Sequence, residues 1–120
     1  MSNAVVHFEI AGRNGPALRD YYTKLFDWKF QIWEGGPDYG LVGPGAEKAA
    51  IGGGVGACPP DAKPYVTFYV QVDDVQASLD KAAKLGGRVV LPPTPIPGVG
   101  TNALFCDPEG NMIGLFKANG

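Results

Sequence analysis

His7 and Glu9 are the residues best able to do chemistry, and their spacing matters. In Val5-Val6-His7-Phe8-Glu9-Ile10, the alternation of a strand puts both on one face, opposite Val6, Phe8 and Ile10. An imidazole one pleat from a carboxylate can supply general acid–base chemistry or accept hydrogen bonds from a ligand. His7 reads as a relic, as a hydrogen-bonded wall residue or as a general base, and a base needs an orienting partner. Glu9 on a half-buried face is costly unless it faces a ligand or pairs with a Lys or Arg from a neighbouring strand. A second polar row, Thr67, Tyr69 and Gln71, alternates through Tyr65-Val66-Thr67-Phe68-Tyr69-Val70-Gln71-Val72. It reads as a ligand-lined wall or as a face open to water. No nucleophile triad or Cys-x-x-Cys is present, and Gly52-Gly53-Gly54 lacks the Lys and helix start of a phosphate loop.

These side chains must be carried by regular elements. The strand at Val5–Ile10 leads to a helix capped by Asn14 or Gly15, with Pro16 in its first turn and a stripe of Leu18, Tyr21, Tyr22 and Leu25 reaching Phe26. Strands are predicted at Trp28–Trp33, Tyr39–Val42 and 49–54, and Cys58–Pro64 reads as a linker. After the strand at 65–72, Asp73 and Gln76 resemble a capping pair for a helix marked by Val75, Leu79, Ala82 and Leu85. A strand at Arg88–Leu91 and a proline-rich loop at Pro92–Gly100 precede a hairpin over Thr101–Lys117. Its turn is Asp107-Pro108-Glu109-Gly110-Asn111, with Pro108 and Gly110 fitting a type I turn closed by a left-handed residue. Pairing Asp107 with Asn111 sets Cys106 against Met112 and Leu104 against Gly114. Met112, Gly114 and Phe116 then share a face, and Met112 and Phe116 offer an apolar floor. Trp28, Trp33 and Phe116 read as core or interface.

A length of 120 residues predicts one compact domain, or two small halves sharing a core, able to bury a real interior. A formal charge of −2 points away from nucleic acid. No apolar run approaches a membrane span and no signal peptide precedes Val5, so a cytoplasmic location is expected. Two cysteines, Cys58 and Cys106, imply no disulfide framework. The 18 glycines and 11 prolines punctuate strands rather than form a tract.

The pattern restarts midway. At an offset of 60 residues Val6, Phe8, Ala17, Lys24 and Leu25 recur as Val66, Phe68, Ala77, Lys84 and Leu85. With two residues inserted, 49–52 overlays Asn111–Gly114. The expected organisation is α+β: a βαβββ module over residues 1–58, a linker over 59–64 and a second βαβββ module over 65–120. Side by side, they would make a curved mixed sheet with helices outside and a cup inside.

The paired layout, His7 followed by Tyr21-Tyr22 and Leu25-Phe26, Val72-Asp73-Asp74-Val75, and Asp107-Pro108-Glu109-Gly110-Asn111 resemble the vicinal oxygen chelate superfamily. That group includes glyoxalase I, bleomycin-resistance proteins and extradiol dioxygenases. The resemblance implies a cup that holds a metal in many members, on positions matching His7, Thr67, Gly52 and Gly114. One imidazole and a hydroxyl make a poor divalent site, which normally needs three or four good donors. The expectation is therefore no metal and no cofactor. The chain would be a homodimeric binder of a small organic molecule lined by His7, Glu9, Thr67, Tyr69, Gln71, Met112 and Phe116. The alternative is an isomerase, lyase or dioxygenase-like enzyme using His7 and Glu9.

Overall fold

The structure, a computed structural model, describes residues 3–43 and 50–119. Those residues form eight strands and two helices, in the order β1 (Val5–Gly12), α1 (Gly15–Phe26), β2 (Gln31–Ile32), β3 (Tyr39–Val42), β4 (Gly53–Ala57), β5 (Tyr65–Gln71), α2 (Val75–Lys84), β6 (Arg88–Ile96), β7 (Gly100–Cys106) and β8 (Met112–Ala118). The element sequence βαβββ occurs twice, as the restart predicts. The chain divides into two compact units: His7–Val66, and the residues up to Val6 together with those from Thr67 onward.

In the His7–Val66 unit the strand order is β2-β3-β4-β1. β1 runs parallel to β4 with Phe8 against Gly53 and Glu9 against Gly54, while β3 is antiparallel to both β2 and β4. Helix α1 begins where expected. Asn14 is extended, and its side chain accepts from the Ala17 N–H at 3.0 Å. The helix ends at Asp27 in the left-handed region.

The buried face of α1 differs from the expected stripe. Tyr21 and Leu25 are more than half exposed, whereas Arg19 is buried. The Arg19 guanidinium makes a two-pronged pair with Asp38, at 2.7 and 3.0 Å, and donates to the Val55 carbonyl at 3.0 Å. A buried cation is tolerable when its donors are met in this way. The same pairing holds the Asp38 carboxyl below its usual range, against a smaller opposing effect of burial.

Two strands of this unit depart from the sequence reading. Only Gln31 and Ile32 of the Trp28–Trp33 stretch pair as a strand. Trp28 instead stacks among Phe8, Tyr22 and Phe26, with ring centroids 5.2–5.6 Å apart. The fourth strand starts at Gly53, not near residue 49, which lies outside the described residues. A glycine run carries no side-chain alternation to fix its register, so pairing with β1 and β3 sets it.

The second unit has the order β5-β8-β7-β6. Its hairpin follows the predicted register, with Cys106 opposite Met112 and Leu104 opposite Gly114. Asp107 organises the turn. Its carboxylate accepts from the N–H groups of Glu109 and Asn111 and from the Asn111 side chain, at 2.9–3.0 Å. Gly110 takes φ +92°, a backbone conformation that a side chain would strain. The core of this unit gathers Val72, Val75, Leu79, Ala103 and Leu115 beneath α2.

Two details here correct the sequence reading. Asp74, not Asp73, caps α2, because it is the extended residue whose side chain reaches the Ala77 N–H, at 2.9 Å. The proline-rich stretch is not a loop: β6 continues through it to Ile96 with register shifts between Val89 and Thr94. Proline is compatible with this position because β6 is an edge strand, so its missing N–H can fall on the unpaired side.

Candidate functional site

His7 and Glu9 do share a face of β1, and the structure supplies partners that the sequence reading did not. Glu9 is buried, at 9% exposure. Its two carboxylate oxygens each accept from a phenol: Tyr39 donates to Oε1 at 3.0 Å and Tyr65 to Oε2 at 2.7 Å. His7 Nε2 lies 2.9 Å from the same Tyr39 hydroxyl. With the single Tyr39 proton directed to Glu9, Nε2 is the protonated nitrogen and donates to Tyr39 Oη. The result is one chain of hydrogen bonds, His7 to Tyr39 to Glu9, with Tyr65 donating from the other side. All four residues belong to the His7–Val66 unit.

The electrostatics follow from this packing. Burial lowers the His7 pKa, and the nearby Glu9 charge opposes that fall without cancelling it. The imidazole is therefore neutral at pH 7. Glu9 was expected to pair with a Lys or Arg if it had a structural partner. Among the described residues, the Tyr39 and Tyr65 phenols donate to it and order the carboxylate.

Tyr39 can reach Glu9 because of Gly54. A Cβ at Gly54 would overlap the Tyr39 ring, so the ring lies flat against bare backbone. Gly114 plays the same part in the second unit, where it is covered by the ring of Tyr69. Gly54 faces Glu9 as Gly114 faces Tyr69, so the internal repeat holds at 60 residues without the two-residue insertion. Gly54, rather than Gly52, is thus the counterpart of Gly114.

The remaining predicted residues lie in the second unit. Thr67 and Tyr69 are buried, at 5% and 7% exposure, while Val66 and Phe68 on the other face are exposed by 73% and 39%. Thr67 and Tyr69 of the polar row therefore lie on the covered side of β5. The Thr67 hydroxyl donates to the Met112 carbonyl at 2.7 Å. Gln71 is exposed and pairs in register with Phe116, and Met112 and Phe116 are half-buried.

The sequence carried a signal for Tyr65, which belongs to the same alternating row as Thr67 and Tyr69. Tyr39 had none, because its reach depends on how β3, β4 and β1 are laid together. Among the described residues, no three His, Cys, Asp or Glu side chains converge in a way that could hold a metal ion. Of the four positions the resemblance points to, the two glycines bring no donor, and the Thr67 hydroxyl is turned to a carbonyl. This donor set does not fit a divalent ion. No helix among the described residues is long and apolar enough to cross a membrane.

Comparison with known proteins agrees with this architecture. Residues 4–115 match the model of the Glyoxalase/Bleomycin resistance protein/Dioxygenase superfamily. The CFP32 protein of Mycobacterium tuberculosis, provisionally named a glyoxylase, is 34% identical over 110 residues, covering 86% of this chain and 41% of its own. The anthracycline biosynthesis protein DnrV of Streptomyces peucetius is 24% identical over 124 residues, covering 92% of this chain and 45% of its own. The chain thus spans less than half the length of these curated relatives. Among solved structures, a Streptomyces coelicolor methylmalonyl-CoA epimerase variant in complex with 2-nitronate-propionyl-CoA superposes with a TM-score of 0.69. Its identity is 14%, with 99% of this chain and 100% of the other covered; that likeness shows the shared α+β fold. On the family match and the mycobacterial relative together, this chain belongs to the glyoxalase, bleomycin resistance and dioxygenase superfamily.

Proposed function

We propose that this chain binds a small organic molecule bearing a hydroxyl or cationic group at the Glu9 carboxylate, without a resident divalent ion. The observation that carries this reading is a buried carboxylate held in one orientation by the Tyr39 and Tyr65 hydroxyls. Burying a carboxylate costs free energy, and a fixed orientation is what ligand recognition requires of it. The names of the relatives, a glyoxylase and an anthracycline biosynthesis protein, also concern small organic molecules. Within the second unit, Tyr69, Gln71, Met112 and Phe116 provide a further candidate wall. We also propose that the chain works as a homodimer, since edge strand β2 leaves Ile32 half exposed.

Glu9→Gln tests the reading. A panel of polyols, catechols and primary amines is screened for compounds that raise the melting temperature of the wild type. Affinity for such a compound should fall by more than about 1 kcal/mol in the variant. The melting temperature without ligand should hardly change, because weaker hydrogen bonds are offset by relief from burying a charge. Unchanged affinity with a collapsed melting temperature would make Glu9 a structural residue.

A second reading is an enzyme of the same fold, an isomerase, lyase or dioxygenase-like catalyst using His7 and Glu9. The His7–Tyr39–Glu9 chain favours it, because it links a neutral imidazole to a carboxylate through a group that can pass a proton.

A further inference from the structure

Arg19 grips the neighbours of both members of the Tyr39–Gly54 contact. Its Nη1 donates to Asp38 Oδ2 and to the Val55 carbonyl, each at 3.0 Å, and its Nη2 donates to Asp38 Oδ1 at 2.7 Å. Asp38 immediately precedes Tyr39, the first residue of β3, and Val55 immediately follows Gly54 in β4. One guanidinium on α1 thus holds two strands beside the point where the phenol ring lies on bare backbone.

The surroundings are shaped for this clasp. Arg19 is buried, although Tyr21, Leu25 and Phe26 on the same helix are left more than half exposed. A Cβ at Gly15 would overlap the Asp38 carboxylate, and one at Gly40 would overlap the Arg19 side chain. Tyr39 needs such a tether, because β3 has only four residues and its outer neighbour β2 only two. Short strand ends are where a ladder opens most readily. The Tyr39 hydroxyl must also serve two partners at once, His7 Nε2 at 2.9 Å and Glu9 Oε1 at 3.0 Å. At the far end of a tyrosine side chain, a small turn of the backbone becomes a large shift of the hydroxyl. Functional groups need their geometry kept within roughly 0.5 Å, which the contacts surrounding them must supply.

We propose that the Arg19–Asp38 pair is a positioning device for the Tyr39 hydroxyl, and through it for the Glu9 carboxylate. Its bearing on ligand recognition rests on the reading of Glu9 given above, whereas the positioning itself is tested without any ligand. The probe is the chain's single imidazole, His7, titrated by NMR in the full chain. The Tyr39 ring lies beside it, with centroids 6.3 Å apart, so withdrawing that ring uncovers the imidazole. Burial is what lowers the His7 pKa, so uncovering it raises the midpoint towards 6.5. Tyr39→Ala sets the full extent of the rise.

Asp38→Ala should reproduce part of that rise, even though an unneutralised Arg19 acts on His7 through space in the opposite direction. Arg19→Lys should raise the midpoint as well, because an ammonium keeps the charge but cannot fork across Asp38 and Val55. Asp20→Ala, which removes an exposed carboxylate from the same helix, should leave it where it is. In the Tyr39→Ala background, neither Asp38→Ala nor Arg19→Lys should add to the rise. The proposal is overturned by a lowered or unchanged midpoint in either folded variant, or by the same rise in Asp20→Ala. A full further rise in the Tyr39→Ala background overturns it too. If Asp38→Ala does not fold, Arg19→Lys decides alone. Failure here leaves the Glu9→Gln test of ligand binding untouched, and the reverse also holds.

Discussion

Tyr39 and Gly54 are a fitted pair: the phenol of one occupies the space where a Cβ of the other would stand. That contact aims the Tyr39 hydroxyl at both His7 and Glu9. Gly54→Ala must displace the ring or the backbone, and overpacking of this kind costs about 1–3 kcal/mol. Urea unfolding should show that loss in the wild-type background. It should largely vanish in Tyr39→Ala, because the cycle then removes the clash itself. An equal loss in both backgrounds would place the effect in the backbone of β4.

The pH dependence follows from His7. Burial sets its folded pKa below the ordinary 6.5, so the unfolded chain takes up the proton first. Stability should therefore fall as pH drops below about 6.5 and level off beneath the folded pKa. Urea midpoints at pH 7.5, 6.0 and 5.0 should reveal this slope, and His7→Gln should flatten it. An NMR titration of the single imidazole gives the folded value directly; a midpoint above 6.5 would reverse the sign and refute the account.

Asp38 acts in a separate window. Its pairing with Arg19 lowers its pKa from 3.8, so the stability it adds is present above that value and lost as pH falls further. Asp38→Ala leaves Arg19 buried with the Val55 carbonyl as its remaining contact of the three. The expected cost is about 2–3 kcal/mol by chemical unfolding, at the lower end for a broken buried pair because Asp38 is partly exposed. A change below 0.5 kcal/mol, the range of ordinary surface substitutions, would mean that the pair contributes little.

Metal content can be measured directly. Protein purified without a histidine tag should carry well under one equivalent of zinc, nickel, iron or manganese. Stoichiometric metal that disappears in His7→Gln would contradict the donor-set argument.

Light scattering at micromolar concentration should report a dimer. Ile32→Lys should shift it towards monomer if β2 forms the contact, since a charge on an edge strand opposes pairing. A wild-type monomer would remove the proposal.

The hairpin at 101–117 was legible because its signals are local. Pro108, Gly110 and the flanking apolar runs lie within a few residues, and turn geometry fixed the register. The same holds for the Asn14 cap. By contrast, the Arg19–Asp38 pair and the Tyr39–Glu9 bond join residues far apart in sequence, whose meeting depends on strand order. Glycine also misled the reading of β4, since Gly52-Gly53-Gly54 says nothing about which residue faces Glu9. Candidate chemistry at His7 and Glu9, and the row that holds Tyr65, could be read from alternation alone, but the meeting of Tyr39 with Glu9 could not.

The prolines of β6 bear on aggregation. An open sheet edge is a template for another strand, and chains with long flat edges tend to stack. Pro92, Pro93 and Pro95 break the row of donors along β6, and the register shifts there interrupt a flat pairing surface. A growing fibril would find too few N–H groups to continue through this edge. The stretch that reads as a loop in the sequence thus makes this end of the second unit's sheet a poor template for a further strand.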